Sequence, residues 1–70
     1  MTYTIDELKI LEIYKDIKSD EYELDLATNP LVRKHYSARI GAQWEVLQII
    51  LGTQNLRDTT DLVQAIARRN

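Results

Sequence analysis

Hydrophobic residues recur at helical spacing near the start of the chain, directly after a helix-start signal. Thr4 is followed three residues later by Glu7, and such a pair forms a capping box when the hydroxyl and the carboxylate each bind a backbone amide. The apolar positions that follow define a broad stripe: Ile10, Tyr14 and Ile17, widened by Leu8, Leu11 and Ile13. The pattern predicts a helix that begins at Thr4 and extends at least to Lys18.

The segment 19–28 has a different pattern, because Tyr22, Leu24 and Leu26 alternate with acidic residues as in a short strand. No second alternating segment is present to pair with it, and an unpaired strand leaves its backbone groups without partners. We therefore favour a continuing helix, and a kink near Ser19–Asp20 is compatible with this interpretation.

The dipeptide Asn29–Pro30 predicts the start of a second helix. Asn is a favoured N-cap, and Pro suits the first helical position, where its missing amide has no cost. The helix ends at Gly52, a favoured C-cap. Its apolar stripe recurs every three or four residues at Val32, Tyr36, Ile40, Trp44, Leu47 and Leu51, widened by Leu31, Val46 and Ile50.

A short third helix is predicted after a linker at residues 53–57. Asp58 or Thr59 would cap it, and the segment before Arg68 supplies an apolar face at Leu62, Val63 and Ile66. The fold class is therefore all-α: an antiparallel hairpin of two long helices plus a short C-terminal helix that folds back onto it. We expect a single small domain over residues 1–70.

The length limits how much core the chain can build alone. A chain of 70 residues buries only about 60% of the surface that it exposes when unfolded. It has no cysteine for disulfides, and His35 alone cannot form a His-rich metal site. Oligomerisation is the remaining source of additional stability, so we expect the bundle to be completed by self-association, with a dimer favoured.

Charge divides the chain into two parts. Residues 1–29 carry eight acidic side chains and three Lys, giving minus five, while residues 30–70 carry six basic and three acidic side chains, giving plus three. The sum is the net charge of minus two. The two halves should attract each other.

Small side chains cluster in the middle of the second helix, at Ser37, Ala38, Gly41 and Ala42. A helical Gly costs about 0.5–1 kcal/mol relative to Ala, which is understandable where another helix approaches closely. The cluster predicts a self-association face, although packing against the first helix is the better-supported alternative. Trp44 joins the candidate face because aromatics with a polar tip are common at interfaces, but its position on the apolar stripe favours the core.

Two charged groups offer alternative partners. The basic group Arg33, Lys34, His35 and Arg39, with Arg68 and Arg69, could contact nucleic acid as part of a regulator, although pairing with the acidic first helix is favoured. The acidic residues could let the chain inhibit a basic protein; they are Asp16, Asp20, Glu21, Glu23 and Asp25. The identity of any protein partner is not encoded in a recognisable motif.

The sequence shows no arrangement typical of catalysis. Tyr36 and Ser37 follow His35 directly, and such neighbours point in different directions on a helix. No EF-hand spacing or Gly-rich phosphate loop is present, so we expect a non-enzyme without a cofactor. The longest apolar run, residues 46–51, is interrupted by Gln48 and too short for a bilayer span, and the first residues do not resemble a signal peptide. We expect a small cytoplasmic protein without membrane contact, of a kind plausible in bacteria or phages.

Overall fold

Three α-helices account for most of the chain in the computed structural model, which describes residues 3–69. The helices are α1 (Ile5–Leu26), α2 (Pro30–Leu51) and α3 (Leu56–Ala67), and no strand occurs within the described range. Three residues link α1 to α2, which makes the two long helices an antiparallel hairpin. The shorter α3 packs against both. The predicted all-α hairpin with a short third helix is confirmed.

The start of α1 is the predicted capping box. The Thr4 hydroxyl accepts a hydrogen bond from the Glu7 amide at 3.1 Å, and the Glu7 carboxylate accepts one from the Thr4 amide at 2.9 Å. The helix then runs without a break to Leu26, so the strand-like segment is helical. The alternation of apolar and acidic residues in this segment does not correspond to alternating burial, because Tyr22 and Leu26 are both exposed.

The bounds of α2 also follow the predicted signals. The Asn29 side chain accepts a hydrogen bond from the Leu31 amide at 2.9 Å, and Pro30 occupies the first turn. At the other end Gly52 adopts the left-handed conformation with φ 68°, which only glycine reaches without strain. Its amide donates to the carbonyl of Gln48.

The third helix begins earlier than the sequence predicted. Asn55, rather than Asp58 or Thr59, is its N-cap, and the Asn55 side chain accepts from the Asp58 amide at 2.9 Å. Asp58 therefore lies in the first turn, where its charge favours the positive end of the helix dipole. The linker is correspondingly shorter, and Arg57 belongs to the helix.

The hydrophobic core is small and draws on all three helices. Four apolar side chains are buried: Ile10 and Ile17 of α1, Leu47 of α2 and Val63 of α3. Around them pack Ile13, Tyr14, Ile40, Trp44, Leu51 and Ile66, which are half-buried. The rings of Tyr14 and Trp44 meet edge to face with centroids 6.2 Å apart, a favourable geometry for an aromatic pair.

The molecule is elongated and has a large surface for its mass. Its extents are 41 × 24 × 18 Å, and its radius of gyration of 13.1 Å exceeds the about 11 Å expected for a compact chain of this length. The accessible surface is 5225 Å², whereas a folded monomer of 8.2 kDa is expected to expose about 4,500 Å². Helix faces that a larger protein would cover are therefore open to solvent.

Candidate interaction surface

One ion pair joins the two long helices. Arg39 Nε of α2 lies 3.2 Å from Asp20 Oδ2 of α1, and Asp20 is buried with 7% of its surface exposed. A buried carboxylate needs a partner, since leaving water without one is costly. Arg39, half exposed, supplies that partner from the basic half of the chain.

A second ion pair joins the start of α1 to the end of α3. Glu7 uses one carboxylate oxygen for the capping box and the other for an ion pair with Arg69. The Arg69 guanidinium also lies over the ring of Tyr3, 5.9 Å from its centroid, within the range of a cation–π contact. Glu7 therefore fixes a helix start and anchors α3 at the same time.

Arg33 caps the end of α1 from the neighbouring helix. Its guanidinium donates to the carbonyl oxygens of Leu24 at 2.9 Å and Ala27 at 3.0 Å. The last turn of α1 contains no basic residue of its own, and positive charge is favourable at that end of a helix. Arg33 supplies this charge across the tight turn.

The remaining charged candidates are less tied to the fold. Arg68 reaches the side-chain oxygen of Gln64 at 3.5 Å, His35 is exposed with its ring against Tyr36, and no carboxylate among residues 3–69 pairs with Lys34. Three of the arginines proposed as nucleic-acid contacts, Arg33, Arg39 and Arg69, thus have partners within the molecule.

The acidic candidates on α1 do not form one uniform surface. Asp16, Glu23 and Asp25 are exposed, whereas Asp20 is buried against Arg39. The Glu21 carboxylate lies 3.4 Å from Lys18 Nζ, and its charge raises the pKa of Lys18 above the ordinary value, although burial of the ammonium opposes the rise.

The small side chains of α2 are exposed rather than packed. Ser37, Ala38, Gly41 and Ala42 all face solvent, and a methyl group added at Gly41 would meet no atom within 4 Å. Packing of Gly41 against the first helix, the alternative favoured from sequence, is therefore wrong. Trp44 lies elsewhere, half-buried against Tyr14.

These five residues do not share one face. At about 100° per residue, Ser37 and Gly41 lie on one side of α2 and Ala38 and Ala42 on the other, with the core-facing Trp44 nearer to the first pair. Only Ala38 and Ala42 fall within a longer exposed surface.

That surface, here named the outer face of α2, covers an arc of about 120° along the whole helix. Nine residues lie within the arc, and all are exposed: Leu31, Val32, His35, Ala38, Arg39, Ala42, Val46, Ile49 and Ile50. Seven are apolar. Ile49 exposes 75% of its surface, Ile50 46% and Val46 44%.

The sequence pattern assigned part of this face to the core. Leu31, Val32, Val46 and Ile50 were counted as widening or forming the buried stripe, yet each is exposed. The rest of the predicted stripe does form the core side of α2: Leu47 is buried, and Ile40, Trp44 and Leu51 pack against the core. The apolar arc of α2 is wider than α1 and α3 together can cover. This excess width is visible in the sequence and could have indicated an exposed apolar face.

Other exposed apolar residues are less continuous. On α1, Leu8 and Leu26 point in the same direction, but Lys15 and Ser19 lie between them. Leu8 was predicted to belong to the buried stripe and is 54% exposed. On α3, Leu62 was likewise expected in the apolar face that packs, and it is 44% exposed. The outer face of α2 carries seven exposed apolar residues, more than α1 or α3 carries in total within the described range.

Within residues 3–69 the structure encloses no pocket, and no group of three or more acidic or His side chains is placed to hold a metal ion. None of the described helices is both long and apolar enough to cross a membrane. Comparison with models of protein families, with curated proteins and with solved structures found no match to this chain.

Proposed function

We propose that this chain is a non-catalytic helical protein–protein interaction module that self-associates as a dimer through the outer face of α2. The observation that carries the proposal is the exposure of an arc along a helix of 22 residues in which seven of nine residues are apolar. Contiguous apolar surface of this extent on a soluble chain is typical of an interaction site.

The size of the uncovered surface supports a protein partner. The chain exposes about 700 Å² more than a compact monomer of its mass, close to the roughly 800 Å² that each partner buries in a stable protein–protein interface. Since only four apolar side chains are buried in the monomer, covering the outer face would also add substantially to the core.

Sedimentation equilibrium over a wide range of protein concentrations tests this proposal. We expect a reversible dimer for the wild-type chain. Ala42→Lys places a second cation beside Arg39 at the centre of the outer face and should shift the chain to monomer, because burying an unpaired ammonium is unfavourable.

Ser37→Lys is the matched control, since Ser37 is exposed on the opposite side of the same helix. This variant should remain dimeric, and circular dichroism should show both variants to be helical. A wild-type chain that sediments as a folded monomer at high micromolar concentration would exclude self-association as the function.

A further inference from the structure

The outer face of α2 carries a repeat of seven residues. Val32, Arg39 and Val46 follow one another at this spacing. A second set, His35, Ala42 and Ile49, follows the same spacing three residues later, so the two sets alternate along three heptads. Alternating spacings of three and four are the pattern with which two helices pair side by side at a crossing angle of about 20°.

Charge distinguishes between the two orientations in which α2 could pair with a copy of itself. The N-terminal half of α2 carries Arg33, Lys34 and Arg39, whereas the C-terminal half carries Glu45 as its one charged side chain. Arg33 points away from this face and caps α1, but parallel pairing would set Lys34 and Arg39 against the same two cations. Antiparallel pairing moves Lys34 away from its own copy and towards Glu45 and the negative end of the other helix, which is favourable.

From these observations we infer that the outer face binds the α2 helix of a second copy in antiparallel orientation, about a two-fold axis between Ile40 and Gly41. The inference rests on the proposed self-association and specifies its partner surface, orientation and register. About this axis, the first heptad set of one helix lies opposite the second heptad set of the other helix.

This register sets three pairs of layers across the interface. Val32 faces Ile49 of the second copy, and His35 faces Val46 of the second copy. At the centre Arg39 faces Ala42 of the second copy, where the short side chain leaves room for the long one. The Arg39 guanidinium can then keep its partner Asp20, so the interface buries no charge that lacks a counter-ion.

The small residues near the axis allow the helices to approach closely. Ala38 and Ala42 are exposed and lie within three residues of the axis. Side chains of this size allow the backbones of two helices to come close together. The apolar residues at the two ends of α2 then cover each other, because Leu31 and Val32 lie opposite Ile49 and Ile50 of the second copy.

The absence of cysteine allows the orientation to be tested by cross-linking with introduced thiols and a short bis-maleimide. In the antiparallel register the two copies of residue 49 are about 25 Å apart along the helix axis, because 17 residues at about 1.5 Å separate them. Ile49→Cys should therefore not cross-link to itself. An equimolar mixture of Val32→Cys and Ile49→Cys should cross-link efficiently.

Ala42→Cys serves as the positive control near the axis, and Ser37→Cys, on the opposite side of α2, as the negative control. Self-cross-linking of Ile49→Cys at the level of Ala42→Cys would overturn the antiparallel orientation, and so would a mixture that yields no cross-link between residues 32 and 49. Efficient cross-linking of Ser37→Cys with none at Ala42→Cys would place the interface elsewhere.

A second measurement does not depend on introduced thiols. Glu45→Lys should weaken the dimer about five-fold in the antiparallel arrangement, because the basic half of the second copy loses its opposite charge. In a parallel dimer residue 45 lies near residue 45 of the second copy, so the change replaces one pair of like charges by another. A parallel dimer should therefore not show the salt-dependent weakening that is expected for the antiparallel one.

Different results would exclude the dimer and its antiparallel orientation. A wild-type monomer in sedimentation equilibrium removes the proposed function and this inference with it. A wild-type dimer with self-cross-linked Ile49→Cys, or with Glu45→Lys as tight as wild type at low salt, removes the antiparallel orientation alone.

Discussion

Thr59 shows how a single polar side chain can be fully buried at low cost in this molecule. Its surface is 0% exposed. Its hydroxyl donates to the carbonyl of Asn55 at 2.8 Å and lies 2.6 Å from the Thr53 hydroxyl. Because Thr59 has one hydroxyl proton, Thr53 must donate in the second bond. The pair fastens the turn before α3 to the first turns of that helix.

We expect Thr59→Val to destabilise the chain by about 1–2 kcal/mol, since the isosteric change removes both bonds and leaves the Thr53 hydroxyl without its acceptor. Thr60→Val is the matched control: the Thr60 hydroxyl also donates to a carbonyl one turn back, Leu56 O at 2.8 Å, but in an exposed position. It should change stability by less than about 0.5 kcal/mol. If urea unfolding gave both variants the same loss in free energy of unfolding, the buried hydroxyl pair would stabilise the chain no more than the exposed hydroxyl does.

The Asp20–Arg39 pair should be the most strongly coupled charge pair between helices. We expect Arg39→Ala to cost about 1–2 kcal/mol because Asp20 stays buried without a partner, and the double change with Asp20→Ala to cost less than the sum of the single changes. A double-mutant cycle in the Ala42→Lys background, which offers Arg39 no other counter-ion, measures this coupling without a contribution from dimerisation.

The exposed pair Lys18–Glu21 provides the control for that cycle. Its coupling should stay below about 0.5 kcal/mol, as for other surface pairs on one helix. Coupling for Asp20–Arg39 that is no larger than this would mean that the buried carboxylate is adequately solvated without Arg39.

At the scale of helices, the ends that carry local signals were predictable. The Thr4–Glu7 capping box, the Asn29–Pro30 start and the Gly52 end each depend on side chains within three residues of the backbone groups that they satisfy. Signals of this kind are complete in the sequence, because no distant part of the chain is needed to form them.

Features that depend on distant contacts were not predictable. The sequence placed the start of α3 at Asp58 or Thr59, whereas Asn55 is its N-cap and Thr59 is buried within the helix. The burial of Asp20 depends on Arg39, 19 positions away. The width of the apolar arc on α2 was visible, but the part of the arc that α1 and α3 cover follows only from their placement.

Substitution by Ala should change stability in opposite directions at Gly41, within α2, and at Gly52, its C-cap. Gly41→Ala should stabilise by about 0.5–1 kcal/mol, because the helix gains Ala in open space. Gly52→Ala should destabilise by about 1 kcal/mol, since φ is 68° and a side chain strains that conformation. Thermal unfolding of both variants provides the measurement, and each serves as the control for the other. A loss of stability with Gly41→Ala would mean that a partner backbone approaches at Gly41.

At the scale of the whole molecule, the two ion pairs between helices join the acidic and basic halves of the chain. Asp20 and Glu7 come from the acidic half, and Arg39 and Arg69 from the basic half. The first pair fixes α2 against α1, and the second holds the end of α3 at the start of α1. The charge pattern thus supports the hairpin but leaves the apolar outer face of α2 uncovered.

Self-association through that face makes thermal stability depend on protein concentration, because only the folded chain forms the dimer. For a chain of this length we expect Tm to rise by about 5–10 °C when the concentration increases about one hundred-fold. Ala42→Lys should have a lower Tm that is independent of concentration, whereas Ser37→Lys should follow the wild-type dependence. Differential scanning calorimetry at two concentrations measures these shifts. Identical wild-type Tm values across that range would mean that the three-helix monomer is the unit that folds, with the outer face of α2 contributing nothing to its stability.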